Sequence, residues 1–203
     1  MDYRVVATGL EFPEGPLELP GGASASYPVA SCPCDDRNLQ FHVRRRAGDA
    51  FAARVFEGLG GADTVRIEGP RGGFVLNEES SRPLVFIAGE AGFAPIKSLI
   101  EHAMALDHAE TLRLYWHSDR PGGHYLANLC RSWAGALDNF HYTALSGVDG
   151  GADALARRVL EDCVRLGDFD AYVAGPAQLT NAAERMLPER GLARTQLFLN
   201  TLE

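Results

Sequence analysis

The sequence lacks an apolar run long enough to cross a bilayer, and residues 1–6 lack the apolar core of a secretory signal. We therefore expect no membrane insertion and a cytoplasmic location. Basic residues are also scarce, because 19 Lys and Arg stand against 27 Asp and Glu, for a formal net charge of −8. This acidic balance argues against nucleic acid as a partner.

Cysteines and grouped metal ligands are equally scarce. Only four cysteines are present, and Cys32-Pro33-Cys34 has no second pair of the kind that builds a zinc or iron–sulfur site. The six histidines show no metal-ligand spacing with carboxylates or cysteines. Ser118 and Ser146 have no identifiable base that would make either a nucleophile. We expect reduced thiols and no metal site, and we identify no catalytic residue.

The most informative stretch is residues 84–97. Its apolar run at 84–88 is too short for a helix and predicts a strand buried on both faces. A glycine-rich turn follows, and apolar residues at helical spacing then predict a helix that begins near Pro95. In an open parallel sheet such a turn lies at the carboxyl edge, where the helix dipole and free amides favour an anionic ligand. This turn is the best candidate for a cofactor site.

The turn itself, Gly89-x-x-Gly92-x-x-Pro95, has two interpretations. It differs from the common G-x-G-x-x-G fingerprint, and glycines after a strand often serve only tight turns and close packing. Glu90 is equally ambiguous. A carboxylate stabilises a helix N-terminus, but it would also repel an incoming pyrophosphate.

Periodicity divides the chain into two regions, so the predicted fold class is α/β plus β. Short alternating stretches at 3–6, 16–20, 27–31, 39–44 and 65–68, a flexible connection at 21–26 and one helical stretch at 49–59 predict a small antiparallel barrel or sandwich. From residue 84, strand-like runs at 84–88, 111–116, 139–145, 169–173 and 195–199 alternate with helical patterns at 93–105, 123–137, 152–166 and 177–189. That order predicts a doubly wound, five-stranded parallel sheet with helices on both faces. We place the domain boundary between residues 78 and 79.

A small antiparallel domain, a G-P-x-G-x-F turn at 69–74 and the stretch at 83–95 together resemble the ferredoxin-NAD(P)H reductase superfamily. Residues 65–70, 86–98, 114–116, 139–142 and 172–176 carry the same likeness. The sequence looks most like reductase modules of ring-hydroxylating oxygenases and deoxy-glucoseen reductases. The resemblance covers most of the chain. It implies FAD on a shortened β-barrel domain, residues 1–78, and NAD(P)H at the carboxyl edge of residues 79–203.

The flavin motif implied by this resemblance is incomplete. The family's R-x-Y-S falls on Ala25-Ser26-Tyr27-Pro28, so the arginine and serine are missing, and a later hydroxyl residue is replaced by Ala52. Tyr27 and Pro28 are nevertheless the positions expected to contact FAD. Losing a charge pair and a hydrogen bond would cost roughly 2 to 5 kcal/mol of cofactor affinity.

The resemblance places the NAD or NADP site on Gly89, Gly92, Pro95, Gly175 and Pro176. The cysteine of the family's C-G-P motif is replaced by Ala174. Beyond residue 116, Ser118 and Arg120 could hold a 2′-phosphate, whereas Asp119 could bind a ribose hydroxyl and favour NAD. A solvated loop is a third interpretation of these residues.

Two functions therefore stay open. One is an oxidoreductase that passes a hydride from NAD(P)H to a flavin and then electrons to a redox partner protein. The other is a cofactor-poor descendant of the same fold that acts as a binding or assembly subunit. Departures from the family pattern at positions expected to touch cofactor favour the second hypothesis: Ala25, Pro28, Ala52, Glu90 and Ala174.

Overall fold

A computed structural model describes residues 3–8, 16–19, 22–35, 38–61, 63–68, 72–120, 122–147 and 151–202 of the chain. The chain divides into two compact units, Met1–Gly73 and Phe74–Glu203. The first three residues of the G-P-x-G-x-F turn, 69–71, lie outside the described residues. No helix among the described residues is long and apolar enough to span a membrane, and the cytoplasmic location stays a prediction.

In the part of the amino-terminal unit that the structure describes, two small antiparallel sheets and one helix are present. Strand β1 (Tyr3–Thr8) pairs with β4 (Leu39–Arg44), while β2 (Pro16–Glu18) lies between β3 (Ser24–Ser26) and β5 (Arg66–Ile67). Helix α1 spans Ala50–Glu57. Its core holds Leu19, Phe41, Val43, Phe51, Ala52 and Val55. The predicted antiparallel architecture with one inserted helix is confirmed.

Three local predictions for this unit are wrong. Residues 24–26 form β3 and not a flexible connection, because their main chain pairs with β2. Within 27–31 only Val29 forms an isolated bridge, and the preceding Pro28 has no N–H to donate to a ladder. Cys32 and Cys34 are joined by a disulfide and are not reduced thiols; their Cα atoms lie 5.1 Å apart, a distance that permits the bond. The other two cysteines are free and buried.

The carboxyl-terminal unit is a five-stranded parallel sheet. Its strands are β6 (Leu84–Gly89), β7 (Leu112–Ser118), β8 (Phe140–Ser146), β9 (Asp170–Gly175) and β10 (Leu197–Thr201). They lie in the order β10-β9-β6-β7-β8, and every neighbouring pair is parallel. After β6 the chain adds β7 and then β8 on one side of it, and then crosses over to add β9 and β10 on the other side. This makes the β6/β9 pair the topological switch point, where open α/β sheets bind their ligands.

Helices cover both faces of this sheet: α2 (Phe93–Ala105), α3 (Ala127–Ala136), α4 (Gly151–Asp162) and α5 (Ala177–Met186). Alternation along β6 decides which helices each residue meets. Phe86 and Ala88 share a core with α2 and α3, whereas Val85 and Ile87 share one with α4 and α5. All six residues of β6 are buried. The predicted doubly wound architecture is confirmed, and helix α2 begins and ends where its periodicity predicts.

A polar network crosses the α4 face of the sheet. The buried Tyr115 hydroxyl donates to Asp162 Oδ2 at 3.0 Å, and Arg158 Nε donates to the same oxygen at 2.9 Å. Burial, followed by the neighbouring Cys163 and Asp162, raises the pKa of Tyr115. Burial alone would raise the pKa of Asp162, but the hydrogen bonds from Arg158 and Tyr115 outweigh it and lower the pKa. A protonated phenol therefore faces an ionised carboxylate.

Tyr115→Phe should lower the free energy of unfolding by about 1 kcal/mol, because it removes a donor from a partly buried carboxylate. Tyr142→Phe is the matched control. The Tyr142 hydroxyl is buried and has no hydrogen-bond partner among the described residues, so its removal should cost nothing or stabilise slightly. Urea denaturation at neutral pH measures both variants. Equal losses would show that the Tyr115–Asp162 bond contributes nothing of its own.

Candidate functional site

Glycines bring two turns into backbone contact at the switch point. Gly89 ends β6 and Gly175 ends β9, and a Cβ placed on Gly175 would lie 3.0 Å from the Cα and N of Gly89. A Cβ on Gly92 would overlap the carbonyl of Ala174. Gly92 and Gly175 are therefore required by close packing, whether or not a ligand approaches them.

The two prolines predicted for the site stand beside this contact. Pro176 is the N-cap of α5, and its Cδ would lie 3.1 Å from a Cβ on Gly89. Pro95 is buried in the first turn of α2. The structure thus gathers Gly89, Gly92, Pro95, Gly175 and Pro176 at one edge of the sheet.

Glu90, the residue after β6, ties this edge to the end of β7. Its Oε1 accepts hydrogen bonds from Ser118 Oγ at 3.1 Å and from the Asp119 N–H at 2.9 Å. Its carbonyl accepts a third from Trp116 Nε1 at 3.1 Å. Glu90 has a φ of +52°, a conformation that side chains rarely adopt, so these bonds hold it in place. The sequence shows Glu90 near a helix N-terminus but does not show these partners.

A cluster of aromatic side chains packs around Trp116, the residue that donates to the Glu90 carbonyl. The buried Trp116 ring stacks on Phe93, with centroids 3.9 Å apart, and Tyr125 packs against it edge-on at 5.2 Å. The packing role predicted for Trp116 is confirmed. Because the stack fixes the indole, it also fixes the N–H that holds the Glu90 carbonyl.

Ser118 and Arg120 lie next to one another but differ in accessibility. The Ser118 side chain is fully buried, and its hydroxyl donates to Glu90 and accepts from the Arg120 N–H at 3.3 Å. The Arg120 side chain is 51% exposed, and its Nε lies 4.0 Å from Glu90 Oε2. Of the two residues, only Arg120 presents its side chain to an incoming ligand.

One atom of this cluster is left without a hydrogen bond. Glu90 Oε2 is buried and accepts none from the described residues. Buried carboxylate oxygens normally receive a donor, and the cation beside this one, Arg120 Nε at 4.0 Å, lies beyond hydrogen-bond distance. A ribose hydroxyl is a donor of the kind that this oxygen lacks.

The amino-terminal unit contains the other predicted site. The Tyr27 ring lies 5.3 Å from that of Phe51, and its pKa is raised by burial and then by Asp49, with Arg46 acting in the opposite direction. Tyr27 therefore lies close to the first turn of α1. Pro28 follows in the segment between β3 and the Val29 bridge.

A depression of about 490 Å³ lies at the same end of α1. Arg45, Arg46, Gly48 and Asp49 are among the residues that line it. The two guanidinium groups suit a diphosphate. However, the Asp49 carboxylate caps α1 by accepting from the Ala52 N–H at 2.9 Å, and so occupies an amide that an anion would use. Glu57 also lines the depression, with its Oε1 3.9 Å from Arg45, so a diphosphate would bind there against two carboxylates.

Gly92→Ala should lower the free energy of unfolding by about 1 to 3 kcal/mol, because the new methyl group overlaps main-chain atoms of β9 that cannot rotate away. Gly135→Ala is the control. Gly135 is exposed in α3 with no atom near its Cβ position, so alanine there should stabilise the helix by about 0.5 to 1 kcal/mol. Thermal or urea unfolding measures both. A neutral Gly92→Ala would contradict the close packing of the two turns.

Comparison with known proteins identifies a family model and several reductases that the chain is similar to. Residues 86–185 match the family described as the oxidoreductase NAD-binding domain. The chain is 33% identical over 183 residues to CDP-6-deoxy-L-threo-D-glycero-4-hexulose-3-dehydrase reductase of Yersinia pestis, covering 87% of this chain and 55% of that protein. It is 31% identical over 183 residues to terephthalate 1,2-dioxygenase reductase component 1 of Comamonas sp, covering 87% of this chain and 54% of that protein. The chain thus spans about half the length of these two relatives.

A shorter relative and a solved structure extend the comparison. The chain is 27% identical over 180 residues to an NAD(P)H-flavin reductase of Vibrio harveyi, covering 84% of this chain and 76% of that protein. A ferredoxin NADP+ reductase from Neisseria gonorrhoeae superposes with a TM-score of 0.82 at 15% identity, over 98% of this chain and 92% of that chain. At this identity the superposition establishes the fold alone.

Proposed function

The chain is a relative of the ferredoxin-NAD(P)H reductases, as its motifs predict, and from this premise we propose that it carries electrons from NAD(P)H through FAD to a partner protein. One observation supports this most directly. Two glycine turns stand at the switch point of the sheet, within the region that matches the NAD-binding domain, and beside them, at the end of β7, lies a buried carboxylate oxygen with no hydrogen bond from the described residues. Open parallel sheets bind nucleotides at this point.

In this proposal residues 79–203 bind the nicotinamide nucleotide. Gly89, Gly92 and Gly175 keep side chains away from the edge, so that the main chain of the two turns can approach the dinucleotide. Pro95 and Pro176 fix the starts of the helices that follow these turns. Ser118 orients the Glu90 carboxylate from within the protein, and Arg120 faces the ligand.

Residues 1–78 hold FAD in the same proposal. Tyr27 packs beside the first turn of α1 and flanks the flavin together with Pro28, while Arg45 and Arg46 attract its diphosphate. When bound, the flavin supplies the step between two-electron and one-electron transfer. These arginines take over the charge that the family's missing arginine would provide at Ala25.

A redox protein is the proposed electron acceptor. The names of two relatives describe reductases that serve another enzyme, a dehydrase and a dioxygenase. Since the chain spans only about half of each, its acceptor and any further redox group are part of the proposal.

The second candidate function, a cofactor-poor binding or assembly subunit, also has an observation in its favour. Carboxylates stand at both places where a phosphate would bind, with Asp49 capping α1 and Glu90 engaging the end of β7. If these acids only replace lost ligands, the fold persists without redox chemistry.

Purification and spectroscopy distinguish the two functions. A reductase should retain flavin, or bind FAD or FMN on titration, and its visible absorbance should bleach when NADH or NADPH is added without oxygen. A colourless protein that binds neither flavin would eliminate the reductase and leave the subunit hypothesis.

Asp49→Asn should tighten FAD binding by roughly three- to tenfold, because asparagine is an equally good N-cap but carries no charge to repel a diphosphate. Asp63→Asn is the matched control, since Asp63 accepts a similar short-range bond from the Gly60 N–H at an exposed turn. Fluorescence titration with FAD measures all three proteins. If Asp49→Asn binds FAD no better than the control does, the first turn of α1 is not the diphosphate site.

A further inference from the structure

We propose that Glu90 makes the nucleotide edge selective for NADH over NADPH, because its carboxylate occupies the place that the 2′-phosphate of NADPH would take. This inference rests on the proposed function, since it concerns the same nucleotide site. It identifies the substrate as a dinucleotide whose adenosine ribose carries a free 2′-hydroxyl.

Glu90 is held in a fixed orientation. Three hydrogen bonds engage it, one through its carbonyl and two through Oε1, and the side chain is only 15% exposed. Its left-handed backbone leaves little freedom to move the carboxylate aside. A ligand therefore meets the carboxylate where the structure places it.

The groups that would recognise a 2′-phosphate are already engaged by this carboxylate. Phosphate recognition here would use the Ser118 hydroxyl, the Asp119 N–H and the Arg120 guanidinium. The first two donate to Glu90 Oε1, and Arg120 Nε faces Oε2 at 4.0 Å. A 2′-phosphate would have to displace Glu90 from all three.

The net charge of the side chains around Glu90 also disfavours a 2′-phosphate. The Asp119 side chain, 54% exposed, adds a second carboxylate at the edge, so Glu90 and Asp119 together outnumber Arg120. His117 Nε2 lies 3.4 Å from Asp119 Oδ1 and also contacts the Gly147 carbonyl at 3.3 Å. A phosphate dianion that enters this cluster is repelled by two acids and attracted by one half-exposed guanidinium.

A 2′-hydroxyl suits the same cluster. It is a neutral donor, and Glu90 Oε2 is a buried acceptor with no hydrogen bond from the described residues. The exposed Asp119 carboxylate offers a further acceptor for a ribose diol. The arrangement that rejects the phosphate therefore accepts the hydroxyl.

The test uses two fragments that differ only in the 2′-phosphate, 5′-AMP and adenosine 2′,5′-bisphosphate, and isothermal titration of the full chain. The wild-type protein should bind 5′-AMP on the order of tenfold more tightly. Glu90→Gln keeps the Oε1 acceptor and removes the charge, so the preference should disappear or reverse as Arg120 becomes available to the phosphate. Glu78→Gln is the control, because Glu78 is exposed and pairs with His102 at 2.9 Å.

Equal or tighter binding of the 2′,5′-bisphosphate by the wild-type protein would overturn the inference, and so would binding of neither fragment. The wild-type ratio needs no variant, so it decides the question even if Glu90→Gln folds poorly. Neither fragment contains nicotinamide and neither needs flavin. Preference for 5′-AMP in a protein that never binds flavin would therefore support the role of Glu90 while eliminating the reductase.

Discussion

The backbone contact between the turns after β6 and β9 is the constraint on which the rest of the edge depends. Parallel neighbours place Gly89 and Gly175 side by side, and a Cβ on Gly175 or on Gly92 would press against main-chain atoms of the other turn. This fixes where the chain leaves β6. The next residue, Glu90, is consequently presented to the end of β7, where its partners lie.

Glu90 shows how one carboxylate can serve both folding and ligand choice. It compensates for an unfavourable backbone conformation through hydrogen bonds to β7 and the residue after it, and those bonds consume donors that a phosphate would otherwise use. Asp49 likewise accepts a hydrogen bond from a main-chain amide, the Ala52 N–H in the first turn of α1. In each unit an internal acid satisfies groups that, in a nucleotide site, are available to a ligand.

These acids show why the fold of this chain does not by itself determine its function. The doubly wound sheet depends on buried apolar strands, which are intact along β6 and β9. Cofactor affinity depends on a few polar contacts whose loss leaves the core unchanged. A reductase with weakened phosphate contacts and a subunit without cofactor therefore share one architecture, and ligand binding alone separates them.

The sequence by itself determined the parallel sheet, the span of α2, the antiparallel character of the first unit and the family resemblance, because periodicity and turn residues are local signals. Tertiary structure alone decided the partners of Glu90, the burial of Ser118, the pairing of residues 24–26 and the Cys32–Cys34 disulfide. For Glu90 the physical reason is distance along the chain. Its two side-chain partners lie 28 and 29 positions further along the sequence. No local pattern encodes which distant residues a fold will bring together.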